Sequence, residues 1–534
     1  MIPNLIKKIK RPVQYFGRFI QTIKNLKSVQ IFYQIRYKCL KTRSLKRINR
    51  SKLKSNPLSL CNYPSVKSSI TKSGTGYRVS FLNVETYFEN QIDWTCDKHG
   101  RLWNYNLQYA GFLNQEDLSE EERSQLIIDL YNGLTVGSPT PEPYTASLRI
   151  MNVIRFLSKS DLSGEKRDSL NSAVYSELIY LSNNLEYHIL GNHLLENSFA
   201  LLMGGFYFSD ETLIHKAQEL LLEELNEQIL LDGGHFERSP MYHNIILYRV
   251  LEAISYLRTH HELQKSLRNT AKQMIGWMLA MQFKDGSVPH FNDSVDGVAV
   301  SNSELLQLAK EMNIWPIDPI ELKESGYRKY ISGKFEVFVD VEGIKPIYQP
   351  GHAHADSLSF QLSYNEKPFL IDPGVSTYAS GERRNWERST KAHNTVCVEG
   401  RNSADVWGSF RVGKRPKVTI EKDLHELISA RIQTGFYEHS RTFNITSSAI
   451  RISDNVKSRA PMAIAYFYLH PSINVIEHNI EYCVLNNGCK IQTDSEYGIQ
   501  IESYHYAMGF NQLIEGKRCS ISFKSNCVTE IISA

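Results

Sequence analysis

The chain has 534 residues, of which 42% are hydrophobic, 22% charged and 11% aromatic. At roughly 150 residues per domain this leaves room for two to four domains with large cores, and it excludes a globally disordered chain. The formal charge of +4 hides a split: no acidic residue precedes Glu85, residues 1–84 carry 19 Lys and Arg, and the remainder sets 42 basic residues against 57 acidic ones, a net of −15.

A basic segment on an acidic body can meet nucleic acid, anionic lipid or an acidic polymer. Within it Val13, Phe16, Phe19, Ile20, Ile23 and Leu26 recur at helical spacing among Lys and Arg. This predicts an amphipathic helix that either lies on a membrane surface or packs on the body. The opening MIPNLIKKIK lacks the continuous apolar stretch of a secretory signal. Residues 51–80, rich in Ser, Lys, Asn, Pro and Gly, read as a linker, so arm and linker together take up 1–84. The most apolar window, ILGNHLLENSFALLMGGFYF (189–208), contains Asn192, His193, Glu196 and Asn197 and reads as a core helix, not a membrane span. The eight cysteines form no CxxC pair, which argues against a zinc ribbon and for free thiols.

From 85 to 322 the periodicity is helical, as in SEEERSQLIIDLYNGL (119–134), TASLRIMNVIRFLS (145–158), SAVYSELIYLSNNLEYHIL (172–190) and HKAQELLLEELNEQILL (215–231). HNIILYRVLEAISYLRTH (243–260) and NTAKQMIGWMLAMQF (269–283) continue the series, which predicts stacked antiparallel helix pairs. Past about 325 the period falls to two, in KFEVFVDVEG (334–343) and DSLSFQLSYN (356–365) and then in TVCVEG, RTFNITSS, APMAIAYFYLH and CSISFKSN. Short alternating strands over 323–534 predict an antiparallel β-sandwich.

Four polar clusters interrupt these patterns. In GNHLLEN (191–197) the helical spacing puts Asn192, His193 and Glu196 on one face. In DGGHFERSPMYHN (232–244) Pro240 marks a helix start, which places Tyr242 and His243 near the positive end of a helix. In QPGHAHADSLSFQL (349–362) His352 and His354 alternate at strand spacing, a pattern for metal ligation or catalysis. IDPGVSTY and RRNWERSTKAHNTV (371–396) bring Asp372, Arg383, Arg384, Arg388, Lys391 and His393. A His/Asp/His set from neighbouring strands suits a zinc-like ion, and the cations suit an anionic ligand.

Together with NYNLQY (104–109) and EPYTASLRI (142–150), these motifs resemble the heparinase II/III-like polysaccharide lyases over about 100–410. The resemblance implies an incomplete N-terminal (α/α) toroid followed by a C-terminal antiparallel β-sandwich, and β-elimination in an acidic, uronic-acid-containing polysaccharide. It implies Tyr242 as base and acid, a double role that requires its pKa to be lowered by nearby positive charge, and His352 as the second proton-transfer group. Asn192 or His193, helped by Glu196, would meet the uronate carboxylate. Arg238, His243, Arg384 and Arg388 are the expected substrate binders. His354, Asp372 and His393 are the expected ligands of one structural divalent ion, zinc first. The basic arm resembles that of members tied to surface polysaccharides. The family implies a periplasmic or envelope location, against the alternative of a cytoplasmic protein on the membrane surface. An anionic membrane is the expected partner of residues 1–54, and nucleic acid is not expected. Two other readings are a non-catalytic or biosynthesis-associated glycan-binding protein held at the membrane by its basic arm, and a metal-dependent glycoside hydrolase. The hydrolase would need a carboxylate pair that the motifs do not supply.

Overall fold

The computed structural model describes residues 17–40, 45, 53–62, 64, 67–135, 141–257, 260–317, 320–459 and 462–533. Helices occupy the stretches that the 3.6-residue period marks. Pro143–Lys159, Gly191–Phe208, Pro240–Tyr256 and Asn302–Glu311 pack on one another in turn, and Gly164–Asn183, Glu211–Gln228 and His261–Ala280 alternate with them in sequence. This is the layering of an incomplete (α/α) toroid, and one apolar core runs through it from Trp103 to Ile314. Caps fix the helix starts: Asp210 accepts from the Thr212 and Leu213 amides, and Ser239 from that of Tyr242. Buried ion pairs tie inner helices together, Arg155 to Glu252 and Arg249 to Glu196.

The second domain is an antiparallel sandwich. Its largest sheet has eight strands, from Lys417–Leu424 to Val475–His478 at its edges. Facing it are a sheet made of Val396–Val398, Ala463–Tyr468, Gln512–Phe523 and Ile499–Gly509, and one made of Tyr327–Ser332, Phe335–Asp340, Phe360–Tyr364 and Lys367–Leu370. Strand Phe335–Asp340 is buried on both faces. Phe335, Val337 and Val339 enter the sandwich core. On the other face Phe338 packs against Trp277, Met281 and Phe283 of the helical domain, and Asp340 pairs with Arg238 at 2.6 Å. This strand is the seam between the domains.

The stretch read as a linker is structured at its C-terminal end. Ile70–Ser73, Gly76–Phe81 and Val84–Phe88 form a three-stranded sheet. Ile70 and Val79 are buried in the helical core, and Phe81 meets Trp103 edge-on. Its turns at Gly74–Thr75 and Leu82–Asn83 gave it the composition of a linker. The arm packs on the body over residues 17–40, through a helical turn at 17–23 and helix Ser28–Cys39; Val13 and Phe16 lie outside the described residues. Among the described residues no helix is long and apolar enough to cross a membrane.

Removing one partner of a buried ion pair leaves an uncompensated charge, at a cost of roughly 3–5 kcal/mol. Asp340→Ala is therefore expected to lower the thermal unfolding midpoint by several degrees and to separate the melting of the two domains. Calorimetry would show this, and an unchanged single transition would contradict the seam.

Candidate active site

The sequence clusters meet at the junction of the domains. Helix Gly191–Phe208 brings Asn192 and His193 at its first turn, and helix Pro240–Tyr256 brings Tyr242. The loop before strand Phe360–Tyr364 brings His352 and His354. These two histidines do not lie in a strand, yet both reach one carboxylate. His352 Nδ1 lies 2.9 Å from Asp293 Oδ2, and His354 Nε2 lies 2.8 Å from Asp293 Oδ1. Arg384 closes the set with a two-pronged contact, Nη2 to Oδ2 at 2.6 Å and Nη1 to Oδ1.

Asp293 thus accepts four hydrogen bonds while fully buried. Its backbone is pinned too: Asp293 N donates to His352 O at 3.1 Å, and Ser239 Oγ donates to Asp293 O at 2.6 Å. A carboxylate that takes the Nδ1 proton of His352 leaves the ring's Nε2 as an acceptor. That Nε2 lies 3.7 Å from Glu237 Oε2.

The Tyr242 ring lies against that of His352, with centroids 3.9 Å apart. Its hydroxyl is 3.4 Å from that of Tyr378. The expected lowering of the Tyr242 pKa is not what the surroundings provide. Burial pushes it well above the ordinary phenol, and Tyr378, Asp293 and Glu237 add to the effect. The phenol is held neutral.

Asn192, His193 and Glu196 have different partners. The Asn192 side-chain amide lies 2.9 and 3.0 Å from the two Glu237 oxygens. Glu196 is fully buried against Arg249 at 2.9 Å, so the carboxylate beside Asn192 is Glu237. His193 Nδ1 meets Glu186 Oε1 at 3.0 Å, its ring lies on Tyr144, and 31% of its side chain is exposed. Burial would lower its pKa, but the Glu186 charge and hydrogen bond outweigh this and raise it. His193 is thus the member of the trio that is both open and inclined to carry positive charge.

The four expected substrate binders turn inward, because a buried guanidinium or imidazole must satisfy its donors within the protein. Arg238 donates to Ser325 O, to Gly343 O at 2.9 Å and to Asp340. Arg388 donates to Ala353 O at 2.9 Å and to the carbonyls of Gly408 and Arg411. Arg384 is spent on Asp293 and Ser409 O. His243 uses both ring nitrogens, on Met274 O at 3.0 Å and on the His235 amide at 3.3 Å. Two carboxylates, Glu237 and Asp293, do flank His352, but all Asp293 oxygens are occupied by protein donors, which leaves a hydrolase without its second free carboxylate.

Behind the cleft His354 and His393 face each other with ring centroids 5.3 Å apart. His393 Nδ1 is held by Asp372 Oδ2 at 2.6 Å, and Asp372 Oδ1 accepts from the Gly374 amide. His354 Nδ1 and His393 Nε2 are both buried without a hydrogen-bond partner. Among the described residues no group of three or more His, Cys, Asp or Glu side chains is set to hold a metal ion. Asp372 stands behind His393 as its orienting carboxylate. Two orphaned imidazole nitrogens, each backed by a carboxylate on the opposite ring atom, fit the donor chemistry of a divalent ion.

Residues 316–533 match the family described as Heparinase II/III-like, C-terminal, and residues 147–318 match Heparinase II/III N-terminus. The chain belongs to the heparinase II/III-like family. It is similar to the heparin-sulfate lyase of Bacteroides stercoris, 26% identical over 40% of this chain and 37% of that protein. The heparin-sulfate lyase of Pedobacter heparinus is also 26% identical, over 44% and 39%. The matched stretch thus spans about two fifths of these relatives' length. Among solved structures, heparinase III shares the fold with a TM-score of 0.66 at 16% identity, over 83% of this chain and 80% of that one.

In this heparinase II/III-like chain the motif reading missed three residues that organise the site. Asp293 sits in VPHFNDSVDG, a polar run between helices that matched no period. Glu237 and Tyr378 both lay inside quoted motifs without a role. The signal for Asp293 was a carboxylate beside two histidine-bearing segments, which only the fold brings together.

Burial alone would raise the Asp293 carboxyl, but Arg384 and the two histidine hydrogen bonds outweigh it and hold it well below the usual range. Such a group contributes stability that is complete above its unfolded pKa of about 3.9 and is lost as pH falls through the lower folded value. Asp293→Asn should melt well below the wild type at neutral pH, and the gap should narrow as pH drops below about 4. Melting curves across pH check this; a gap independent of pH would count against it.

Proposed function

We propose that this protein is a polysaccharide lyase that cleaves an acidic, uronic-acid-containing polysaccharide by β-elimination. The observation that carries the reading is the Tyr242–His352 ring contact at 3.9 Å, with His352 Nδ1 fixed on Asp293. The reading rests on a phenol and an imidazole in ring contact, the one able to give a proton and the other to take one. The names of the relatives support the class of substrate.

Elimination needs three things: a partner for the uronate carboxylate, a base for the weakly acidic C5 proton and an acid for the departing O4. His352 Nε2 takes the C5 proton, and its Nδ1–H, already on Asp293, stabilises the imidazolium that forms. The electron pair passes through the enolate to make the C4=C5 double bond as the C4–O4 bond breaks. The neutral Tyr242 phenol gives its proton to O4. His193, with its raised pKa and open ring, meets the carboxylate, and Asn192 flanks it. This division replaces a tyrosine that does both jobs, because burial does not favour the phenolate.

Tyr242→Phe and His352→Gln should each lower turnover by roughly 10²–10⁴, the first with the melting temperature in place and the second with a lower one, since Asp293 gives up one hydrogen bond. The assay is a screen of acidic polysaccharides for the ultraviolet absorbance of an unsaturated uronate. Turnover within a few fold of wild type in either variant would remove that residue from the mechanism.

The structural ion is part of the same proposal. His354 and His393 would hold it through their orphaned nitrogens, with Asp372 orienting His393. When bound, it would brace two loops of the sandwich beside the cleft, and the proton transfers do not pass through it. Elemental analysis of protein purified without an affinity tag should find about one equivalent of zinc, lost together with thermal stability in His393→Ala. Metal-free wild type with a melting point insensitive to chelator would overturn the ion.

A further inference from the structure

The described part of the arm has two unlike faces. One is spent on the body. Arg18 pairs with Asp405 at 2.9 Å, and Trp407 Nε1 donates to Thr22 at 3.3 Å. Lys27 meets Glu227, and Gln30 donates to Ile189 O at 3.1 Å and to Tyr348 O at 3.3 Å. Tyr33 stacks on Tyr187 with centroids 4.7 Å apart, and the Tyr37 hydroxyl donates to Leu185 O. The arm is therefore a strap fastened to both domains.

The other face is apolar and open. Phe19 is 51% exposed, Phe32 59%, Ile35 58% and Leu40 63%. On helix Ser28–Cys39 the body-facing positions are 30, 33 and 37, while 32, 35 and 39 lie on the opposite side. Arg36 flanks that side on one edge and Lys38 on the other, both exposed. The arm holds no Asp or Glu at all.

We propose that this face of the strap docks on an anionic lipid surface, with the helix lying in the plane of the membrane. Two requirements have to be met together: cover for large apolar side chains and counter-charge for the cations around them. The boundary of an anionic bilayer meets both. A soluble acidic polysaccharide meets only the second. A second copy in a two-fold arrangement would set one cationic strap against another. No helix among the described residues spans a bilayer, so an in-plane contact is the geometry open to the arm. The strap touches Tyr348, in the loop that leads to His352, and Trp407, in the strand Val406–Trp407 that precedes Phe410. Docking would therefore hold the cleft beside the membrane.

The test is co-sedimentation of the full chain with vesicles of phosphatidylglycerol and phosphatidylcholine, and with phosphatidylcholine alone. Binding is expected only to the anionic vesicles, weakening as salt screens charge over about 10 Å at 0.1 M. Phe32→Ser/Ile35→Ser and Arg36→Gln/Lys38→Gln should each weaken it at least about tenfold, with melting temperature unchanged because these positions are exposed. If the first pair does not fold, Ile31→Ser at the edge of the face takes its place. Absent or equal pelleting with the two vesicle types would overturn the proposal. So would wild-type binding in either variant, or a dimer seen by light scattering that the Phe32/Ile35 changes abolish. Retention on immobilised heparin without vesicle binding would assign the cations to polysaccharide instead.

Discussion

The site depends on one buried carboxylate. Asp293 can stay ionised in the interior only because Arg384 and two histidines surround it, and they can be held in fixed orientations only because it is ionised. The tautomer of His352, its approach to Tyr242 and the position of His354 all follow from this group. Arg384 itself is clamped on Ser409 O and lies over the rings of Tyr378 and Phe410. The aromatic wall of the cleft and the charge behind it are thus one unit. Among the expected cations, Arg238, Arg384 and Arg388 are all used to build the site and its seam.

The carboxylate belongs to the helical domain and its partners to the sandwich, so the site exists only when the two are docked. The seam strand Phe335–Asp340 accomplishes this by burying both of its faces, and Arg238 crosses from the helical side to Asp340. Arg238 has φ 57°, a left-handed conformation that costs a non-glycine residue energy. The ion pair and three further contacts hold it there, immediately before the Ser239 cap that starts the helix of Tyr242. Arg238, read from its motif as a ligand group, is a positioning residue for both the seam and the Tyr242 helix.

Much of this was legible in the sequence. The change of period near residue 325 falls between helix Asn302–Glu311 and strand Tyr327–Ser332, because helical and alternating patterns are properties of local burial. Pro240 marks a helix start in sequence and in structure, and the two motif residues Tyr242 and His352 meet ring to ring. What was not legible came from pairing. Residue type marks Arg238, Arg384 and Arg388 as cations, but only the fold reveals that carboxylates and carbonyls have already consumed them. The Asp372 carboxylate, expected as a metal ligand, hydrogen-bonds His393 Nδ1, a pairing that residue type does not announce. Residues 70–81 looked like a linker because small strands joined by tight turns share its composition.

The central claim is that this cleft breaks its substrate by elimination, with His352 and Tyr242 moving the protons under the control of Asp293. The most direct measurement is mass spectrometry of the fragments formed from an acidic polysaccharide that the protein degrades. Elimination predicts new non-reducing ends that carry a double bond and lack one water relative to a hydrolysed end, with no solvent oxygen incorporated in oxygen-labelled water. Fragments with a saturated non-reducing end, heavier by one water, and the labelled oxygen on the new reducing end would contradict it.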